Sequence, residues 1–424
     1  MNCNIKKSTL RGIINCPQSK SYTHRAIFLA TLVKNDASTI INPLNSSDID
    51  ATIKACLNFG ATVSKTKNAI TIFNNKFQIK SEIINAKNSG TTIRFASAIS
   101  SLFDKLITLT GDDSLKKRPM SPILQSLRSL GARCSSCNGK PPLKIEGRIS
   151  GGKTTIVGRV SSQFISALLI IAPLLKDGLT IIIENNLISK QYVDATIATM
   201  KQFGITTKTI SKYKKYHINF QKYVPTTFYV PSDFSSLALL LSTAVLVGNK
   251  LNIKISQNDL PQGDKIIIKI LNMLGVNVMF DENIISVRSP NQLNGGKFDL
   301  SNNPDLLPPL ALLALKSSKP IEIFNVRHAR YKEADRLSII SREFKKVSLL
   351  VEEKDDGIIL QNTGNLKGAH FNPENDHRLF MTFCVAGMYI GECTISDRES
   401  IDVSYPNFLR DVCKVGGNIS NIDM

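Results

Sequence analysis

Lys20, Ser21 and Arg25, in Pro17-Gln-Ser-Lys-Ser-Tyr-Thr-His-Arg25, stand immediately before the apolar run Ala26–Val33. An ammonium, a hydroxyl and a forked guanidinium at a predicted helix start add to the positive end of the helix dipole, and together they suit a phosphate or a carboxylate. A merely solvated first turn explains them poorly, because Lys and Arg at an N-terminus oppose the dipole. Four further segments resemble this one. They are Asn88-Ser-Gly90-Thr91-Thr-Ile-Arg94, Ser161-Ser162-Gln163, Lys116-Lys-Arg118-Pro119-Met-Ser-Pro122 and Ser189-Lys-Gln-Tyr192. Any one of them alone reads as an ordinary helix cap; together they point to several helix N-termini turned toward anions. Ionisable groups also crowd predicted helix starts in the second half, at Asn303-Pro-Asp305, Tyr331-Lys332-Glu333-Ala-Asp335-Arg336 and Asn375-Asp-His-Arg378. Ordinary helix capping would explain Asp305, Glu333 and Asp335 singly, but not as readily their occurrence together with the basic residues beside them.

The elements that must position these groups follow from a repeat. A helix-ending phrase recurs with its glycine at 60, 131, 204 and 275, with Ser348 in its place in the fifth copy, and with Gly416 in a truncated sixth. Each phrase predicts a helix closed by a left-handed cap and followed by two strands joined by a turn. Another strand lies upstream of each helix, as at Ala37–Ile41, Leu106–Thr110, Leu179–Ile183 and Leu251–Ile255. The unit is mixed α/β. Six copies of about 71 residues predict two globular halves of three units, with an extended array as the alternative. The repeat phase places one domain at residues 15–225 and the other at 1–14 plus 226–424, the chain crossing twice.

Composition narrows the partners. The chain has 424 residues, 42% hydrophobic and 21% charged, with a formal net charge of +19, which excludes a low-hydrophobicity disordered chain. Its longest apolar runs are far shorter than the ~20 residues of a membrane span. The N-terminal residues carry no apolar signal segment, so a cytosolic protein with reduced thiols is expected. A basic chain also admits nucleic acid, but aromatic residues are only 7% and Trp is absent, leaving few stacking platforms. Cys134-Ser-Ser-Cys137 has no second pair at zinc spacing. Gly147-Arg-Ile-Ser-Gly-Gly-Lys153-Thr154 satisfies the P-loop expression, yet the residues after it predict a strand where a phosphate-binding loop needs a helix.

In this order the motifs are similar to those of the 5-enolpyruvylshikimate-3-phosphate synthase family of enolpyruvyl transferases. The similarity runs through SKSxxxRA at Ser19–Ala26, NSGTTxR at Asn88–Arg94, the KKRPM loop, SSQF at Ser161–Phe164 and SKxY at Ser189–Tyr192. It continues through PD at Pro304–Asp305, YKEADRL at Tyr331–Leu337, NDHR at Asn375–Arg378 and SYPNF at Ser404–Phe408. The resemblance implies an α/β, two-domain inverse α/β barrel of six βαβαββ repeats, three per domain, with the active site in the cleft between the domains. It implies transfer of the enolpyruvyl group of phosphoenolpyruvate to the 5-hydroxyl of shikimate 3-phosphate by a cytoplasmic monomer, without metal, organic cofactor, nucleic acid or membrane.

By the same resemblance Asp305 would be the base, and Glu333 and Lys20 the proton donors or shuttles. Lys20, Ser21, Arg25, Ser161, Ser162, Gln163, Ser189, Tyr192, Asp305, His328 and Lys332 would contact shikimate 3-phosphate. Lys20, Asn88, Gly90, Thr91, Arg118, Gln163, Arg336 and Arg378 would contact phosphoenolpyruvate. The sequence departs from the family pattern at His24 and His328, and at Val403, which stands at the predicted start of the last helix where the family places a lysine. The UDP-N-acetylglucosamine enolpyruvyl transferases share the fold and cosubstrate, but their reactive cysteine has no counterpart in Gly111–Met120.

Overall fold

The computed structural model describes residues 2–256 and 259–422. Among them are six four-stranded sheets with one shared order. In the sheet of residues 83–146, Ile83–Asn85 runs parallel to Ile107–Thr110, which is antiparallel to Lys140–Glu146, which in turn pairs with Arg133–Cys137. Helix Gly90–Ser100 connects the first two strands and Ser121–Ser129 leads to Arg133–Cys137. The same order recurs in the other five sheets.

Two compact units result. One comprises Gln18–Pro231 with Asp259–Gln262; the other comprises Met1–Pro17, Ser232–Asn258 and Gly263–Met424. Distant segments complete three of the sheets. Thr227–Tyr229 lies parallel to Ala37–Ile41, and Leu10–Asn15 lies parallel to Gly248–Lys254. Asn2–Ile5 sits between Cys393–Ile395 and Ile419–Ile422, so the sixth copy, truncated in sequence, takes its last strand from the other end of the chain.

Each unit closes around three helices that are apolar on all sides. Lys20–Leu32, Gly90–Ser100 and Ser162–Ile171 serve one unit, and Phe234–Val247, Leu307–Leu313 and His377–Ile390 serve the other. A helix without a polar face can only be stable when surrounded, which puts these six at the centres of their cores. Helices Ser121–Ser129 and Arg336–Lys346 keep a polar face and an exposed side. In the three central helices of the 18–231 unit the only side chains left partly exposed, Lys20, Ser21, Thr91 and Gln163, lie in the first turn.

The helix-ending positions are all left-handed: φ is +95° at Gly60, +103° at Gly131, +82° at Gly204, +88° at Gly275 and +109° at Gly416, and Ser348 keeps the conformation at +69°. The P-loop-like stretch is followed by strand Gly152–Val157 and so forms no phosphate cradle. One expectation is corrected. Val403 does not begin the last helix; it ends the 3₁₀ turn Arg398–Val403, and the helix starts at Phe408. Pro406 is the reason, since the residue before a proline is held out of the helical region.

The glycine caps differ in what surrounds them. A methyl group at residue 60 would overlap the Lys76 carbonyl oxygen, whereas one at residue 131 meets nothing within 4 Å. Gly131→Ala should therefore cost only the left-handed strain, about 1–2 kcal/mol. Gly60→Ala should cost roughly a further 1–3 kcal/mol of overpacking. Urea unfolding midpoints of the two variants measure the difference, and equal losses would contradict it.

Candidate active site

In the 18–231 unit the three central helices begin with serine caps. Ser19 accepts from the Tyr22 amide, Ser89 from the Thr92 amide and Ser161 from the Gln163 amide. A neutral cap satisfies one orphan donor and leaves the positive end of the dipole uncompensated, which favours an anion in front of it. Side chains tie the three N-termini together. His24 Nδ1 pairs with Thr52 Oγ1 at 2.7 Å, and that hydroxyl bonds Thr92 Oγ1 at 2.6 Å. Burial, with the charges of Lys20 and Arg25, drives the His24 pKa far down, so it acts as a neutral spacer.

Around this frame Lys20 Nζ lies 2.9 Å from Asp48 Oδ2. Arg118 Nη2 donates to Asn88 Oδ1 at 2.6 Å, and Asn88 Nδ2 donates to Asp112 at 2.8 Å. Gln163 Nε2 donates to Thr91 Oγ1 at 3.1 Å, while its Oε1 accepts from Arg94 Nη1. Gly90 lies beneath both guanidiniums: a methyl group there would stand 2.9 Å from Nη1 of Arg118 and 2.9 Å from Nη1 of Arg94. The predicted residues Asn88 and Arg118 thus form one set of contacts, Thr91 and Gln163 form another with Arg94, and Gly90 lies against both guanidiniums. Lys20 is paired separately with Asp48, and Arg94 and Asp48 add to the predicted residues. Arg94 lies one helical turn after Gly90, which could have flagged it; Asp48 reads in sequence as a common first-turn acid after the cap Ser46.

Arg25 is placed differently from a surface clamp. Only 2% exposed, it donates to Thr196 Oγ1 at 2.8 Å, to the Ser21 carbonyl at 2.9 Å and to the Tyr192 carbonyl at 3.0 Å. These acceptors are neutral, so its charge is held but not cancelled by them. Burial lowers its pKa to about 10, which still leaves it protonated at neutral pH. Through Tyr192 it fixes the turn at Ser189, whose φ is +52°. Ser162 is buried directly behind the Ser161 cap.

In the 232–424 unit the centre is Arg336, 1% exposed. Nε donates to Asp376 at 2.7 Å, Nη1 to Asp305 at 2.9 Å and Nη2 to Glu333 at 2.8 Å. Asp376 also caps helix His377–Ile390. Lys332 Nζ stands 3.5 Å from Asp305 Oδ1, and Arg378 Nη2 stands 3.4 Å from Oδ2. Burial alone would raise the Asp305 pKa, but Arg378, Lys332 and Arg336 outweigh it and hold the carboxyl well below its ordinary range. His328 is pushed down to about 4, by burial first and then by Lys332, and is therefore neutral at pH 7.

Sequence reading missed the acids that adjoin Asp305. Asn303 Nδ2 donates to Asp264 Oδ1 at 3.0 Å, and Ser235 Oγ donates to Oδ2. Asp264 lies in a polar stretch with no periodic signal, and only the fold brings it to this turn. Burial, reinforced by the Asp305 charge, raises its pKa to about 6.

A carboxyl whose folded pKa exceeds its unfolded value stabilises the fold in its protonated form. That contribution is complete below the ordinary value of 3.8 and is lost as pH rises through about 6. Asp264→Asn removes the charge; its Oδ1 still accepts from Asn303, and the bond to Ser235 reverses, the new amide donating to the hydroxyl. The drop in unfolding free energy between about pH 4 and about pH 7 should therefore be smaller in the variant than in the parent chain. Denaturant titrations at both pH values test this, and an unchanged drop would refute it.

A sequence profile of EPSP synthase (3-phosphoshikimate 1-carboxyvinyltransferase) matches residues 5–412. The 3-phosphoshikimate 1-carboxyvinyltransferase of Nitrosopumilus maritimus is 56% identical over 420 residues, covering 99% of each chain. That of Methanosarcina acetivorans is 40% identical over 433 residues, covering 100% of this chain and 99% of the relative. Among solved structures, an EPSP synthase from Acinetobacter baumannii superposes with a TM-score of 0.80 at 23% identity, covering 99% of this chain and all of that one. The enolpyruvyl transferase NikO from Streptomyces tendae gives the same TM-score at 12% identity, over 99% of this chain and 98% of its own. At that distance these two structures carry the fold alone. With the motifs in order, the sheets in place and relatives matched end to end, the chain belongs to the EPSP synthase family, the 3-phosphoshikimate 1-carboxyvinyltransferases.

Proposed function

We propose that residues of both clusters bind the substrates of the family's reaction and that Asp305, Glu333 and Lys20 move its protons. That reaction moves the enolpyruvyl group of phosphoenolpyruvate onto the 5-hydroxyl of shikimate 3-phosphate and releases phosphate, within aromatic amino-acid biosynthesis. Ser21, Ser161, Ser162, Gln163, Ser189 and Tyr192 hold shikimate 3-phosphate together with Lys332 and His328. Arg25 contributes its uncancelled field and the stiffness of the Ser189–Tyr192 turn. Lys20, Asn88, Gly90, Thr91, Arg118, Gln163, Arg336 and Arg378 receive phosphoenolpyruvate, whose carboxylate and phosphate both match guanidinium forks.

The observation that carries this reading is Asp305 ringed by three cations. An ionised carboxylate can accept the proton of the acceptor hydroxyl, but three cations make it a poor base. Two of the contacts, at 3.4 and 3.5 Å, are longer than the 2.7–2.9 Å typical of tight charge-assisted bonds. They are the ones an incoming anion exchanges at least cost. Substrate binding at Arg378 and Lys332 would thereby raise the proton affinity of Asp305 when a base is needed. Glu333 and Lys20 supply the proton to the methylene carbon as the acceptor oxygen bonds to its neighbouring carbon, and a proton leaves the resulting methyl group as the bond to phosphate breaks, which restores the double bond. The arrangement calls for no metal or organic cofactor.

The same reading takes the protein as a cytoplasmic monomer that binds no nucleic acid. Among the described residues no helix is long and apolar enough to cross a membrane. The cations of the site cluster locally at helix starts, as small anionic substrates require.

Phosphate release from phosphoenolpyruvate should occur with shikimate 3-phosphate and not with UDP-N-acetylglucosamine. Asp305→Asn should keep shikimate 3-phosphate binding and lose about 10²–10⁴-fold in turnover; turnover within about threefold would rule out the base. Gly90→Ala should raise KM for phosphoenolpyruvate far more than KM for the acceptor, because the methyl displaces the Arg118 and Arg94 guanidiniums. Equal effects on both constants would indicate a general folding defect instead.

A further inference from the structure

The three central helices of the 18–231 unit have their C-terminal ends at a cavity that the reaction does not use. Leu32 and Lys34 line it from the end of the first helix, Leu102 from the end of the second and Leu174 from the 3₁₀ turn that extends the third. Its volume is about 180 Å³. Lys20 and Leu32 are the first and last residues of the 13-residue first helix, about 18 Å apart along its axis at 1.5 Å per residue. The cavity is thus separate from the candidate active site.

Its walls have two chemical characters. Three are aromatic: Phe77, Tyr223 and Phe220, the last 55% exposed. Three are cations, Lys34, Arg148 and Lys222, all exposed and none in an ion pair among the described residues, and no acidic side chain lines the cavity. Helix dipoles explain part of this, because a cation near a C-terminus is stabilised by the partial negative charge there. They do not explain the rest. Arg148 and Lys222 belong to neither these helices nor their ends. Three whole positive charges also exceed three helix ends of about half a charge each, so the mouth stays positive. An apolar chamber large enough for one ring under an unpaired positive mouth is complementary to an aromatic ring that carries one carboxylate.

We propose that this cavity is a second ligand site, distinct from the catalytic one, that binds a single-ring aromatic carboxylate. The ring packs between Phe77, Phe220 and Tyr223, and the carboxylate pairs with Lys34, Arg148 and Lys222.

The probe is 3-phenylpropionate, with its neutral amide and acetate as controls, titrated calorimetrically into the full chain. The expected result is saturable one-to-one binding of the acid, with the amide and acetate each about tenfold weaker or worse. The triple variant Lys34→Ala, Arg148→Ala, Lys222→Ala alters only exposed side chains and should lose the binding while keeping phosphate release. Leu102→Trp, which fills the chamber, should lose it as well. Equal binding of acid and amide, binding that survives both variants, or no saturable binding at millimolar acid would overturn the proposal. So would displacement of the probe by phosphoenolpyruvate or shikimate 3-phosphate, which would place it in the catalytic site.

Discussion

The acidic cluster of the 232–424 unit depends on one buried guanidinium. Arg336 meets Asp376, Asp305 and Glu333 with its three nitrogens, and each partner belongs to a different element or turn. Removing it would strand three carboxylates away from water, and breaking a buried pair on one side typically costs about 3–5 kcal/mol. The arrangement fixes the start of helix Arg336–Lys346, the cap of helix His377–Ile390 and the 3₁₀ turn bearing Asp305 by one set of directional bonds. The proton affinity of Asp305 follows from the same bonds, so the chemistry and the fold share a single electrostatic origin.

The two units solve opposite problems with the same scaffold. In the 18–231 unit serine caps keep the helix N-termini positive. In the other unit Asp233 and Asp376 cap two of the three central helices and neutralise the dipole there. One architecture thus yields helix starts whose dipole is left uncompensated and helix starts whose dipole a carboxylate already meets. The +19 net charge matters less than this local choice of cap, because exposed charges are screened within about 8–10 Å whereas the caps act at contact.

Much of this was legible in the residues. Repeating left-handed caps gave the period, and Ser348 keeps the conformation with a side chain present, which shows that the backbone position rather than glycine itself is what recurs. Serine and polar turns before apolar runs located the helix starts. These features are local: each depends on dihedral preference, capping or side-chain polarity within a few residues.

What the sequence alone determined, then, was element type, element order and the residue types gathered at helix N-termini. The tertiary structure decided which of those residues meet. Asp48 becomes the partner of Lys20 because helices Lys20–Leu32 and Ser47–Asn58 pack together, and Asp264 adjoins the Asp305 turn because the fold brings the turn Gly263–Ile266 to Asn303. Arg25, by type an anion clamp, becomes a buried strut because Thr196 and the Tyr192 carbonyl surround it. Val403 falls in a 3₁₀ turn because Pro406 delays the helix. Charge pairing and burial depend on distances across the fold, and a sequence carries no such distances until its strands have chosen their neighbours.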